Sequence, residues 1–117
     1  MFAENKNRQV YLACGATDLR RGINGLAVLV KEGFDLDPFS SSMFVFCNRR
    51  KDKLKCLYWD HNGFWLLQRQ LEREKFAWPD DEKDVINISY REFRWLLDGL
   101  SIRQNKAFKE LTYSTII

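Results

Sequence analysis

Acid–base or metal chemistry in this chain would have to draw on a single imidazole, His61, and on carboxylates such as Asp18, Asp60, Glu72 and Asp98. A two-metal nuclease or transposase needs several acids held together on one rigid surface. Each of these has a simpler task within reach. Asp18 places negative charge on the first turn of a helix, Asp60 opens a turn, Asp98 precedes a helix stop and Glu72 sits among arginines. The three cysteines, Cys14, Cys47 and Cys56, are odd in number and form no CxxC pair. With His61 they make a formal Cys3His set, but such zinc sites are built from two close-spaced ligand pairs, and only Cys56 and His61 are near one another. There is no Walker loop, no GxGxxG, no GxSxG and no HExxH. The expectation is therefore no catalysis, no metal, no cofactor and no small-molecule substrate.

The other chemistry on offer is electrostatic. Asn48-Arg49-Arg50-Lys51-Asp52-Lys53-Leu54-Lys55 carries five cations against one anion, a local charge that exceeds the +3 of the whole chain. Cations at that density attract polyanions, and nucleic acid is the commonest polyanion in a cell. Tyr58, Trp59 and Trp65 follow closely, a combination suited to phosphate contact plus stacking on bases. Arg20 and Arg21 extend the patch if the first helix lies alongside. The competing reading is a solvated hairpin tip whose charge only discourages aggregation.

Positioning falls to short elements. At 117 residues the chain is one domain, long enough to bury about two-thirds of its unfolded surface. Hydrophobic content of 45% supports a globular core, and no apolar stretch approaches a membrane span. With no signal-peptide pattern at its start, the chain is expected in the cytoplasm with reduced thiols.

Gln9–Cys14 reads as a central strand. Thr17 is the expected N-cap of a helix that places Leu19, Ile23, Leu26, Ala27 and Val30 on one face and stops at Gly33. Gly22 and Gly25 within it suggest close approach to a sheet. After a loop around Pro38 come strands over Met43–Cys47 and Leu54–Trp59, with Leu54, Cys56 and Tyr58 on the core-facing side, and a tight turn at Asn62-Gly63. Phe64–Arg73 fits a strand or a helix by periodicity, and the preceding turn favours the strand. Phe76–Pro79 is a further extended piece. Ser89 with Glu92 forms a capping box, flanked by Ile88 and Phe93 as a hydrophobic staple, for a helix ended by Gly99.

Five ordered motifs carry a family likeness. They are Gly15–Gly22 with Gly25-Leu26, Phe44–Lys53, Trp59–Phe64, Leu71-Glu72 with Phe76–Pro79, and Leu96–Gly99. Together, over about Val10 to Leu100, they closely resemble the small second-reading-frame protein, TnpB, of the insertion-sequence-sixty-six family of bacterial transposable elements. The resemblance implies a transposition accessory protein encoded beside a separate, larger transposase that holds the catalytic acids. On the family's pattern the signature positions are Asp18, Arg20, Arg21, Asn48, Arg49, Arg50, Asp52, Lys53, Trp59, Asp60 and Gly63, none of them catalytic. Glu74-Lys75 departs from the glycine-containing turn usual before the Phe76 motif, and the tail carries none of the motifs of the likeness.

The expected architecture is a small α+β domain over residues 1–100, an antiparallel sheet of about four to five strands against two helices. A basic tail over 101–117 either adds an edge strand through Leu111–Ile117 or stays loose. The expected function is DNA binding in transposition through Arg20, Arg21, Asn48, Arg49, Arg50, Lys51, Lys53 and Lys55, with element-end DNA or the transposase as partner and no membrane involved. The alternative is a module that docks on the transposase without touching DNA, using Trp59, Trp65, Phe76 and Trp78 as anchors.

Overall fold

A computed structural model of the chain describes residues 8–102. The elements run β1 (Val10–Ala13), α1 (Ile23–Val28) continued by a π-helical turn (Leu29–Gly33), β2 (Met43–Cys47), β3 (Lys53–Asp60), β4 (Gly63–Gln70), β5 (Val85–Ile88) and α2 (Tyr90–Leu97). The fold is α+β, with the strands in one sheet of order β4-β3-β2-β1-β5.

The sheet is mixed rather than wholly antiparallel. β1 and β2 run parallel, Val10 opposite Met43 and Leu12 opposite Val45, while every other pair is antiparallel. Parallel neighbours need a crossover, and the residues between them supply one through α1. This explains why β2 is buried along its whole length. Phe44 and Phe46 pack with Leu26 and Val30 on the α1 side, and Met43, Val45 and Cys47 pack with Phe93 and Leu96 of α2 on the other. A strand covered on both faces has no reason to alternate with polar residues. β3 is covered on both sides too: Leu54, Cys56 and Tyr58 join the α2-side core, and Leu57 joins the α1-side core.

The helix after β1 starts later than its apolar spacing suggests. Its N-cap is Gly22, without a side-chain cap, so Thr17 caps nothing and residues 17–22 form a loop. The glycines do not mark contact with the sheet. A Cβ at Gly22 would meet nothing, and one at Gly25 would meet Arg21. Gly33 does end the helical run. There a Cβ would come within 2.8 Å of Leu29 Cδ1, and Phe34 N–H bonds back to the Leu29 carbonyl.

At the other end of the chain the capping box is complete. Ser89 Oγ accepts from Glu92 N–H at 3.0 Å, and Glu92 Oε1 accepts from Ser89 N–H at 2.8 Å. Gly99, at φ +82, lets its own N–H reach the Leu96 carbonyl and that of Leu100 reach Trp95, a Schellman stop. Ile102 still packs against the core. Residues 103–117, with the expected edge strand at 111–117, lie outside the described region.

β4 is a strand, paired with β3 from Lys53↔Gln70 to Asp60↔Gly63 without a slip. The left-handed residue of the connecting hairpin is His61, at φ +59, so the turn sits one position before Asn62-Gly63. β5 is a strand beyond those the sequence pattern predicts. It pairs Ile86 with Leu12 and Ile88 with Val10 at the sheet's second edge.

Candidate nucleic-acid interface

The basic side chains are placed by two loops and the start of β3 at one end of the sheet. Residues 48–52 join β2 to β3, and Asn48 organises them. Its Oδ1 accepts from Asp52 N–H and Lys53 N–H, both at 3.1 Å, and its Nδ2 donates to Asp52 Oδ1 at 2.7 Å. The bond from Asn48 Nδ2 is the main cause that holds the Asp52 carboxyl below its ordinary range. Lys51 takes a left-handed conformation, φ +62, to complete the reversal. The loop is pinned from outside as well: Leu71 N–H donates to the Asp52 carbonyl at 2.8 Å, Phe76 N–H to Lys51 at 2.7 Å, and Lys75 Nζ to Arg50 at 2.8 Å.

The second loop, after β1, is tied to the first by Thr17 N–H donating to the Cys47 carbonyl at 2.8 Å and by Lys55 Nζ donating to the Leu19 carbonyl at 2.6 Å. Arg20 is thereby brought beside residues some thirty positions away in sequence. A groove of about 530 Å3 results, walled by residues 16–20 on one side and by Asn48, Arg49, Lys53 and Lys55 on the other, with Gln68 of β4 contributing to its lining. Four cations line it against one carboxylate. That carboxylate, Asp18, accepts from the Arg20 backbone N–H at 3.0 Å and pairs with its guanidinium at 2.8 Å. The hydrogen bond to the guanidinium holds the Asp18 carboxyl at about 2 and pushes the Arg20 pKa up. The Arg20 side chain stays 92% exposed despite the pair, so its donors still face solvent.

The expected nucleic-acid set therefore divides. Arg20, Asn48, Arg49, Lys53 and Lys55 share the groove. Arg21 turns instead toward a cleft with Cys14, Leu29 and Phe34, and Lys51 toward one with Trp78, Asp80 and Ile102. Arg50 is exposed at the loop but lines none of these clefts. Asn48 changes role, because its amide is engaged within the loop and positions Arg49 and Lys53 rather than a ligand. Thr17 and Gln68 are groove residues that sequence reasoning missed. Thr17 has the residue type and position of a helix cap, and Gln68 lies in the stretch whose periodicity fits strand and helix alike.

The expected protein-docking set also divides. Phe76 and Trp78 are 1% and 5% exposed, packed in the α2-side core, with Trp78 Nε1 donating to the Ala13 carbonyl at 2.8 Å. They hold the fold and offer no surface to a partner. Trp59 is partly covered, in edge contact with Phe39 and Phe64. Trp65 is 51% exposed, stacked on Tyr58 and bonded through Nε1 to Asp60 Oδ2 at 3.1 Å.

The acids do not gather. Asp18 pairs with Arg20, Asp60 holds Trp65, Asp98 is the C-cap of α2 and Glu72 is exposed after β4. Among the described residues no three His, Cys, Asp or Glu side chains are placed to share a metal ion. Cys47 and Cys56 lie in the core, where burial pushes both thiols up to about 12. No helix among the described residues is long and apolar enough to cross a membrane.

Comparison with known proteins agrees with the motif order. Two uncharacterized proteins of Sinorhizobium fredii (strain NBRC 101917 / NGR234) are similar over nearly the whole chain. One, y4jC, is 36% identical over 100 residues, 86% of each chain, and the other, y4hO, is 36% identical over 103 residues, 88% of this chain and 90% of its own. No solved structure gives a significant match. The family described as "IS66 Orf2 like protein" matches residues 8–107, a span that takes in every groove residue. The chain therefore belongs to the IS66 Orf2-like (TnpB) family, and with that family goes an accessory role in transposition.

Proposed function

We propose that the chain is a non-catalytic, cytoplasmic accessory protein that contacts the phosphate backbone of element-end DNA, or of a transposase–DNA complex, through the groove of Arg20, Arg49, Lys53 and Lys55. The observation that carries the reading is the arrival of Arg20 from a separate loop beside Arg49 of the β2–β3 connection and Lys53 and Lys55 of β3. A solubilising hairpin tip would need no such convergence. Lysine and arginine donors in a shallow groove suit phosphate oxygens, and binding of that kind is set by counterion release and positions a protein without reading sequence.

The test is an electrophoretic mobility shift of the full chain with an element-end duplex and a scrambled duplex at low and moderate salt. Binding to both duplexes that weakens steeply with salt is expected. No shift at low salt with folded protein would sink the reading. Docking on the transposase without DNA is the second reading, favoured by the half-exposed Trp65 at the opposite end of β3 and β4. It predicts co-purification with the transposase that survives nuclease treatment and charge reversal at Arg49.

A further inference from the structure

β4 is an edge strand of a kind that folded proteins usually protect. It is eight residues long, among the described residues pairs only with β3, and keeps one register throughout, so no bulge twists it away. Gly63 to Leu67 contains no charge and no proline, and the strand's one charged side chain is Arg69 near its far end. The opposite edge, β5, is only four residues long. Long, regular, uncharged edges pair with other strands unless something blocks them.

We infer that β4 pairs with β4 of a second copy of this chain, antiparallel about a two-fold axis at Leu67, joining two sheets into one. The strand is self-complementary in that register. Trp65 falls opposite Arg69 of the partner subunit, Leu66 opposite the partner's Gln68, and Phe64 opposite the partner's Gln70. Trp65 and Arg69 are both exposed in the single chain. Each indole would receive a guanidinium, and the symmetry provides that contact twice. No like charges meet. The neighbouring same-face register, centred on Leu66, puts Arg69 against Gly63 and wastes it.

Pairing residues of equal parity keeps the same face of both sheets on one side. Both grooves, each lined by Gln68, then open on that side, with the two Gln68 Cα atoms roughly 8 Å apart from strand spacing and rise. Resting on the polyanion reading of the groove, this sets two basic grooves side by side on one face of the dimer, with the uncharged Gln68 pair between them, whereas the dimer itself does not depend on that reading.

Sedimentation velocity of the full chain without nucleic acid, up to about 100 µM, tests the dimer, since a self-association becomes visible by mass action above its dissociation constant. A species of twice the 14.0 kDa monomer mass is expected. Trp65→Arg sets like charges against Arg69 and is expected to weaken association by tenfold or more, roughly. Trp65→Glu, which removes the same indole but offers Arg69 a carboxylate, retains the dimer. Circular dichroism and melting confirm that both variants fold. A wild-type monomer over the whole range overturns the inference. Equal weakening by Arg and Glu overturns it too, because burial of Trp65 in some other contact would then be the cause. If the dimer forms and DNA binding fails, only the groove reading falls.

Discussion

At the scale of single residues, Asn48 is the side chain on which the site depends. One amide satisfies two backbone donors and one carboxylate, so Asn48→Ala leaves polar groups in a half-buried loop without partners. A loss of about 1–3 kcal/mol in urea unfolding is expected, from the cost of unmade hydrogen bonds. Asp18 gives a pH signature. Its carboxyl is held at about 2 in the fold against an ordinary 3.8, so its contribution is complete above the ordinary value and fades as the pH falls toward the lowered one. The difference in melting temperature between wild type and Asp18→Asn should be constant near neutrality and close between those two values. The thiols should separate by burial. A thiol reagent at neutral pH is expected to modify the partly exposed Cys14 first, with Cys47 and Cys56 reacting only on unfolding, as peptide mass mapping would show.

At the scale of elements, α2 and the β3–β4 hairpin carry the sharpest expectations. Ser89→Ala removes the acceptor for Glu92 N–H and should cost about 1 kcal/mol. His61→Gly should stabilise the protein by up to roughly 1 kcal/mol, because His61 adopts a left-handed backbone that favours glycine. Thermal melts of the two variants should move in opposite directions. α2 was legible in the sequence because its boundary signals are local: the Ser89–Glu92 reciprocity and Gly99 involve residues that are neighbours in the chain. β2 and β3 were legible as apolar runs flanking a charged turn. The start of α1 was not, since Leu19 continues the helical spacing while the chain there is held by Thr17 N–H to Cys47 and Asp18 to Arg20, contacts that periodicity does not register. β5 left a signal in Val85-Ile86-Asn87-Ile88, a β-rich run. Ile88 belongs both to that run and to the staple of the helix that follows, so the helix signal overlaps the strand.

At the scale of the whole molecule, β3 separates two ends of different character by roughly 23 Å, taking one rise per residue from Lys53 to Asp60. One end gathers the groove cations, and the other gathers Phe39, Trp59, Phe64 and Trp65. The sequence shows charge and aromatics close together because it is read along one strand. Folding puts them at opposite ends of it. Phe76 and Trp78 illustrate the same limit: their large apolar area suits a docking surface or a core equally well, and only the sheet topology, which leaves the α2 side to be covered, assigns them to the core. The crossover between β1 and β2 was likewise invisible in local pattern, since strand direction is set by which strands become neighbours. Family membership came through because motif order survives where contacts cannot be read.

Binding in the groove requires Arg20 and Lys53, remote in sequence, to act together on one polyanion. The most direct measurement is the salt dependence of duplex DNA affinity for wild type, Arg20→Ala, Lys53→Ala and, as a control, Lys31→Ala, which lies in the π-helical turn away from the groove. Arg20→Ala and Lys53→Ala should each lower the slope of log K against log salt by about one, and Lys31→Ala should leave it unchanged. Equal slopes for all four proteins, or an equal fall for Lys31→Ala, would contradict a shared groove.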